Sequence, residues 1–365
     1  MDMATASKLR VAVIGAGVTG VLLGQGLKEV RQTMRRLWIK ANVLQNGFEV
    51  TIYEQAASIA DRFREWTFLI HWSLPRLQSV LPKRIADKLP SAYTNRFYAY
   101  QQEGERLPFY DGMTGRLLYL APCTQMRRFS RAKLRQLCME GLDVQWGKRF
   151  REMEMDDTNG PVTIHFEDGD TAVADLVIGA DGSNSQVRRY LFGEGGRATP
   201  SGWTMCSGTV RYADSNIAQS LHEVHPVCSI AILEDGYLMA ACKYLLGNTC
   251  AHTNREREVQ EVIDPEDPKT FTFHIARWWR ASSSEALAGE LAVQQLKAQV
   301  LPACEPFRSA IDKIPSDCSS FVLSQLQYWR TTPWNSRNSR VLLAGDAAHS
   351  MLPSKTGLDS RSVRN

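Results

Sequence analysis

Six residues near the N-terminus, Gly15-Ala16-Gly17-Val18-Thr19-Gly20, constrain the fold more than any other feature of the chain. They follow a short apolar run, Leu9 to Ile14, and lead into Val18 to Val30, whose apolar residues recur at helical spacing. The pattern predicts strand, tight turn and helix, the opening unit of a Rossmann-like α/β sheet. Each glycine has its own reason. Gly15 supplies the sharp turn, Gly17 lets a pyrophosphate approach the backbone, and Gly20 lets the helix pack closely on the strand. The helix N-terminus then offers free N–H groups and partial positive charge to an anion. Alone, the hexapeptide says only that a dinucleotide fits.

A second strand, Phe48 to Tyr53, ends in Glu54, where a carboxylate can accept both ribose hydroxyls of an adenosine. That acidic residue ordinarily falls about 20 positions after the glycines. Here residues 29–44 (EVRQTMRRLWIKANVL) push it further along, and removing them restores the usual spacing. Two readings stay open: an insertion such as a retained intron, or a genuine longer helix and loop.

Further on, Arg131 to Met139 reads as a helix, and Asp143 to Phe150 and Val162 to Phe166 as strands. Glu167-Asp168-Gly169 is a hairpin turn signal. A buried strand, Ala174 to Ile178, runs into Gly179-Ala180-Asp181-Gly182, and another, Arg340 to Ala344, runs into Gly345-Asp346. In an open α/β sheet ligands gather at the carboxyl ends of strands, so both aspartates are candidate ligand groups. Between them the pattern changes. Thr204 to Tyr212, Cys228 to Leu233, Tyr237 to Tyr244 and Thr270 to Trp278 read as strands of an inserted antiparallel sheet, and Ser283 to Ala303 as a return to helix. The expected organisation is a cofactor-binding domain over 1–199, a substrate-domain sheet over 200–280, and a return to the first domain over 281–365.

Composition excludes several classes. Apolar residues make up 44% and charged residues 22%, as in an ordinary globular protein, and a net charge of +4 is too weak to argue for nucleic acid. Val227 to Leu246, the stretch nearest to a membrane span, is broken by Glu234-Asp235 and Lys243, so no span is expected. Met1 to Lys8 holds no apolar signal core, and the eight cysteines form no C-x-x-C pair or metal-like spacing. A reducing, cytoplasmic setting with free thiols and no bound metal is expected.

Taken together, Gly15-x-Gly17-x-x-Gly20, Glu54, Gly179-Ala180-Asp181-Gly182-x-x-Ser185-x-Val187-Arg188 and Gly345-Asp346-Ala347-Ala348-His349-x-x-x-Pro353 resemble the class A flavin monooxygenases, the family of para-hydroxybenzoate and salicylate hydroxylases and many fungal tailoring enzymes of secondary metabolism. The resemblance implies FAD as cofactor, NAD(P)H and O2 as cosubstrates, and a small aromatic or polyketide-like substrate that receives one oxygen atom. It implies that Glu54 binds the adenosine ribose, that Asp346 binds ribityl or ribose hydroxyls, and that Asp181-Gly182 serves FAD and NAD(P)H together. Arg131, in Ser-Arg-Ala-Lys-Leu-Arg, is similar to the family's Arg-x-x-Leu segment along the FAD. Arg64 falls where the family often places a residue near the isoalloxazine. Arg211 is the candidate catalytic residue, with a structural ion pair as its alternative reading. His349 belongs to the packing of the Gly-Asp motif, and Trp278-Trp279 to the core.

After Pro353 the sequence departs from the family. The usual Gly-x-Gly and final helix are replaced by Ser354-Lys355-Thr356-Gly357-Leu358-Asp359-Ser360, which reads as a C-terminal truncation. That departure keeps a second reading in view, a non-catalytic remnant of such an enzyme. A related flavin oxidoreductase, a halogenase or prenyl reductase, is the third, although no Trp-x-Trp-x-x-Pro motif supports a halogenase.

Overall fold

A computed structural model describes residues 8–36, 48–61, 66–101, 104–155, 160–243, 264–281, 285–299 and 303–351. The chain opens with strand β1 (Leu9–Ile14), helix α1 (Val18–Arg36) and β2 (Phe48–Glu54). Then come β3 (Thr67–Ile70), the short helices α2 (Leu74–Val80) and α3 (Lys83–Ala86), and β4 (Glu105–Asp111), β5 (Leu117–Cys123) and β6 (Arg127–Ser130). Helix α4 (Arg131–Met139) leads into β7 (Asp143–Trp146), β8 (Phe150–Glu154), β9 (Val162–Phe166), β10 (Thr171–Ala174), β11 (Leu176–Gly179) and α5 (Gln186–Phe192). The remainder runs β12 (Thr199–Val210), α6 (Ser215–Val224), β13 (Ser229–Leu233), β14 (Gly236–Lys243), β15 (Thr272–Arg280), β16 (Leu287–Ala288), α7 (Glu290–Ala298), α8 (Phe307–Asp312), β17 (Val322–Tyr328), β18 (Val341–Leu343) and α9 (Asp346–His349).

Five strands form an open sheet in the order β18-β11-β1-β2-β7, parallel throughout. β1, β11 and β18 read as apolar runs, whereas β2 alternates and the edge strand β7 is largely exposed; Val11, Val13, Val50, Ile52, Val177 and Val341 are the core of the sheet. The register aligns the carboxyl ends: Ile14 pairs with both Tyr53 and Gly179, and Gly179 pairs with Leu343. The residues that follow these strands therefore emerge along one edge. Three segments distant in sequence meet there because strand order, rather than chain order, sets the neighbours.

An ion pair joins β1 to the start of β11. Asp175 accepts the backbone N–H of Arg10 and its guanidinium, each at 2.8 Å. The guanidinium hydrogen bond holds the Asp175 carboxyl below its ordinary value. A depressed carboxyl contributes stability above its unfolded pKa and loses it as pH falls through the folded one. Both side chains are partly exposed, so Asp175→Asn should cost only about 0.5–1 kcal/mol at pH 7. Urea unfolding should show the two proteins converging as the pH falls below the ordinary carboxylate range and through the depressed Asp175 value.

The second sheet has eight strands in the order β16-β17-β12-β15-β14-β13-β4-β5. This corrects the expected boundary: β4 and β5 join from before residue 200, and β16 and β17 from after residue 280. The reason is nonlocal pairing. β13 lies parallel to β4, which lets Leu107 and Phe109 be buried beside Val227, Cys228 and Ala241. Two smaller expectations also change. Asp143 to Phe150 breaks at Gly147, whose φ is 74°, into β7 and β8. The helix expected over 283–303 shortens to α7, with β16 before it.

One face of the large sheet packs on α6, α7 and α8 through Cys206, Val210, Leu238, Phe273, Ile275 and Leu323. The opposite, inner face is covered in part by the β3–β6 ribbon, since Leu69 and Met126 pack with Met239 and Ala241. Helix α1 extends to Arg36, so residues 29–36 are helical. Residues 37–44 of the unusual stretch, and Arg64, lie outside the described residues.

Candidate cofactor site

The Gly-rich turn is built as its sequence requires. Gly15 has φ 104°, and its N–H donates to the Tyr53 carbonyl at 2.8 Å. A Cβ on Gly15 would lie 2.6 Å from the Ala180 oxygen, so β1 and β11 can approach this closely only at glycine. A Cβ on Gly20 would penetrate the Gly15 carbonyl. Gly17 differs from both: a Cβ there would meet nothing within 4 Å. The first turn of α1 thus borders open space at the one glycine expected to admit a phosphate.

The segment after β18 closes on the same turn. Gly345, at φ 59°, places its α-carbon so near Thr19 that a Cβ would lie 2.5 Å from Thr19 Oγ1. Asp346 follows at the start of α9 with its side chain exposed. An exposed carboxylate beside the N-terminus of α1 is available to hydroxyl groups of a ligand. His349 is also exposed among the described residues, which corrects its expected place in the motif's packing.

Glu54 is 93% buried at the same edge, with relative exposure 7%. Its Oε2 accepts from Ala16 N at 2.8 Å and its Oε1 from Ala56 N at 3.0 Å. Each oxygen retains a lone pair, so ribose hydroxyls can still be accepted. Arg135 completes this arrangement. Its Nε donates to Ala16 O at 2.6 Å, its Nη2 lies 3.8 Å from Glu54 Oε2, and its guanidinium lies over the Trp146 ring. Arg135 was missed as a site residue. The signal was its position four residues after Arg131, one helical turn along α4.

Arg131 begins α4, behind the Ser130 cap that accepts from Lys133 N. Its backbone N–H donates to Trp66 O at 3.1 Å, and its guanidinium lies over the Trp66 ring, 5.9 Å from the centroid.

Asp181 is turned toward α5. Its Oδ2 accepts from Gln186 N at 2.6 Å and Val187 N at 3.2 Å, so it caps that helix, while its Oδ1 is buried with no hydrogen-bond partner among the described residues. Burial raises its pKa. Beside it, Gly182 has φ 85° and open space at its Cβ. A second arginine was also overlooked in this role. Arg188, 0% exposed, donates to Ser183 O, Gly196 O, Asp346 O and Ala347 O, and so joins the Asp181 loop to the Gly345-Asp346 turn.

Arg211 lies apart from this edge, just past the end of β12. Cys206 and Val210 face the helices, so alternation along the strand puts Thr209 and Arg211 on the inner face. Of the expected site residues, Gly15, Gly17, Gly20, Glu54, Asp181 and Asp346 come together at one edge of the parallel sheet, with Arg131 on the helix beside it. Trp279 is core as expected, whereas Trp278 lies on the inner face with its Nε1 buried and no acceptor among the described residues.

These residues fit a bound dinucleotide: open space at Gly17 and Gly182, an exposed Asp346, and an unmet acceptor on Asp181. Among the described residues no cluster could hold a metal ion, and no helix is long and apolar enough to cross a membrane.

No protein-family profile matches the chain. Curated relatives do. The FAD-dependent monooxygenase phnB of Penicillium herquei is 31% identical over 354 residues, which covers 96% of this chain and 78% of the relative. The FAD-dependent monooxygenase cctM of Talaromyces islandicus is 33% identical over 343 residues, covering 94% and 77%. Among solved structures, a salicylate hydroxylase in complex with substrate superposes with TM-score 0.64 at 18% identity, over 97% of this chain and 76% of the other. That structural likeness establishes the fold. Identity above 30% across nearly the whole chain goes further, and with the site geometry it shows that this chain belongs to the FAD-dependent monooxygenases.

Proposed function

We propose that the chain uses NAD(P)H and O2 to hydroxylate or epoxidise a small aromatic or polyketide-like molecule in secondary metabolism, with FAD held at the edge of the parallel sheet. The observation that supports this most directly is the closure of Gly345-Asp346 on Thr19, beside the open space at Gly17. Two motifs far apart in sequence thereby form one cradle. The N-terminal N–H groups of α1 would hold the pyrophosphate, Glu54 the adenosine ribose, and Asp346 the ribityl or ribose hydroxyls. Arg135 steadies Glu54 and the Ala16 peptide. Arg131 would lie along the cofactor, and Asp181-Gly182 would border it where NAD(P)H arrives.

Bound FAD supplies the electron transfer and oxygen activation. The chain's own contribution is to orient the substrate and exclude water, using the inner face of the eight-stranded sheet. Arg211 is the candidate there for steadying negative charge on a phenolic substrate. We extend the reading to a reducing, cytoplasmic setting, supported by free thiols on every described cysteine.

Purified protein should be yellow, or become so when reconstituted with FAD. It should oxidise NAD(P)H faster when a suitable phenol is present, with one atom of labelled O2 appearing in the product. A protein that takes up no FAD, or that places no label in any product of a broad phenol panel, would overturn the reading.

A further inference from the structure

A chain of hydrogen bonds on the inner face of the large sheet ends in a buried ring nitrogen that meets no partner among the described residues. Arg128 Nε, on β6, donates to Thr67 Oγ1 at 2.9 Å, and Thr67 Oγ1 lies 3.0 Å from Nδ1 of His274 on β15. Arginine only donates, so Thr67 accepts from it. Among the described residues the hydrogen of the Thr67 hydroxyl then has one acceptor, His274 Nδ1. When the hydroxyl donates there, Nδ1 is the acceptor and the hydrogen of the neutral imidazole sits on Nε2. This arrangement leaves fewer buried polar groups unmet than the opposite tautomer, in which both the Thr67 hydroxyl hydrogen and the Nε2 lone pair go without partners. His274 Nε2 is buried and meets no acceptor among the described residues. A buried N–H without an acceptor is costly, and folded proteins retain few of them.

The surroundings keep the ring neutral, and its neighbours on the sheet are small. Burial pushes the His274 pKa well down, and the charges of Arg128 and of Lys243 on β14 push it further. The ladder pairs His274 with Thr209 and Ala241, and its inner-face neighbours along β15 are Thr272 and Ala276, all small. Thr67 also follows Trp66, the residue whose carbonyl accepts from Arg131. His274 thus stands on the face proposed for the substrate, bonded to the β3 residue that follows the Trp66 carbonyl holding Arg131.

We propose that His274 binds substrate: its Nε2–H donates to a phenolic oxygen of the aromatic substrate and fixes which ring carbon faces the flavin, while Arg128 and Thr67 are positioning residues that hold the imidazole in this tautomer. The proposal rests on the monooxygenase reading above and names its substrate contact. The neighbouring Arg128 guanidinium, whose described bonds go to neutral groups, favours an oxygen that carries negative charge, so phenolate should bind better than a neutral ether.

The probes are 4-nitrophenol and nitrobenzene, titrated into FAD-loaded wild-type, His274→Leu and His274→Gln protein. Glutamine retains an amide N–H near the place of Nε2. His274→Leu should bind 4-nitrophenol at least about tenfold more weakly, His274→Gln within about threefold of wild type, and nitrobenzene should bind all three alike. Equal loss of both probes in His274→Leu marks a merely structural role and overturns the proposal. So does unchanged 4-nitrophenol binding, or no binding by wild type, which would leave the donor to a buried water.

Nitrogen NMR of labelled histidine supplies an independent reading: Nε2–H in wild type, and a mixed tautomer in Thr67→Val. Failure of the wild type to hold flavin sinks the functional reading. An Nδ1–H tautomer with flavin in place sinks this one alone.

Discussion

Gly20→Ala should give a protein that carries no flavin and unfolds far more readily than wild type. The added methyl would penetrate the carbonyl oxygen of Gly15 and also lie 3.4 Å from Val13 Cγ1. The first obstacle is backbone, and that backbone cannot yield. Gly15 N is bonded to Tyr53 O, and the same turn is pressed against the Ala180 peptide. Relief therefore requires α1 to move off β1, at a cost of about 3 kcal/mol or more. Gly17→Ala is the informative contrast. Its methyl meets no heavy atom within 4 Å, so stability should match wild type within about 0.5 kcal/mol. The same methyl occupies the space proposed for phosphate, so the Kd for FAD should rise at least about tenfold. Urea unfolding and FAD titration of both variants check this. A Gly17→Ala protein that binds FAD as tightly as wild type would show that the phosphates lie elsewhere.

The contrast between those two glycines marks what the sequence made legible. β1, α1 and β2 could be read because a central parallel strand is a continuous apolar run and its turn needs glycine at particular places. The Gly-Asp ends of β11 and β18 were legible for the same reason, and α4 has the bounds its Leu134, Leu137 and Cys138 spacing indicates. The large sheet was legible only in its middle. β12, β14 and β15 are long and apolar, whereas β4 and β5 are recognisable as members only through their place beside β13. Strand pairing across a hundred residues leaves no local signal.

Side-chain roles were hidden in a related way. Arg135 and Arg188 lie on helices among other basic residues, and in one dimension such arginines look like solvated surface. Burial against backbone carbonyls distinguishes them, and burial depends on the fold. His274 sits in Phe-His-Ile-Ala-Arg-Trp-Trp, where alternation shows two faces without saying which one will meet β3 and β6.

Arg188→Met should cost about 3–5 kcal/mol and weaken FAD binding, although Arg188 is not expected to touch the cofactor. The side chain is fully buried and is satisfied almost entirely by carbonyls. Nε reaches Gly196 O at 2.7 Å, Nη1 reaches Asp346 O at 3.2 Å and Ala347 O at 3.1 Å, and Nη2 reaches Ser183 O at 2.5 Å. Its guanidinium also lies over the Trp329 ring. The bonds to 346 and 347 matter most. A helix of four residues cannot satisfy its own carbonyls, so α9 needs outside donors, and Thr331 supplies the only other one described, to Ala348 O at 2.6 Å. Methionine would fill much of the volume but leave these oxygens buried without their donor, each a penalty of about 1–3 kcal/mol if no water enters. The Gly345-Asp346 turn would then loosen from Thr19, and the cradle would open on one side. Arg188→Lys should recover only part of the loss, because an ammonium cannot span carbonyls that a planar fork reaches in three directions. Equilibrium unfolding and FAD titration of both variants test the argument. A loss below about 1 kcal/mol in Arg188→Met would mean that water satisfies the carbonyls, and that the turn after β18 is held by its packing on α1 alone.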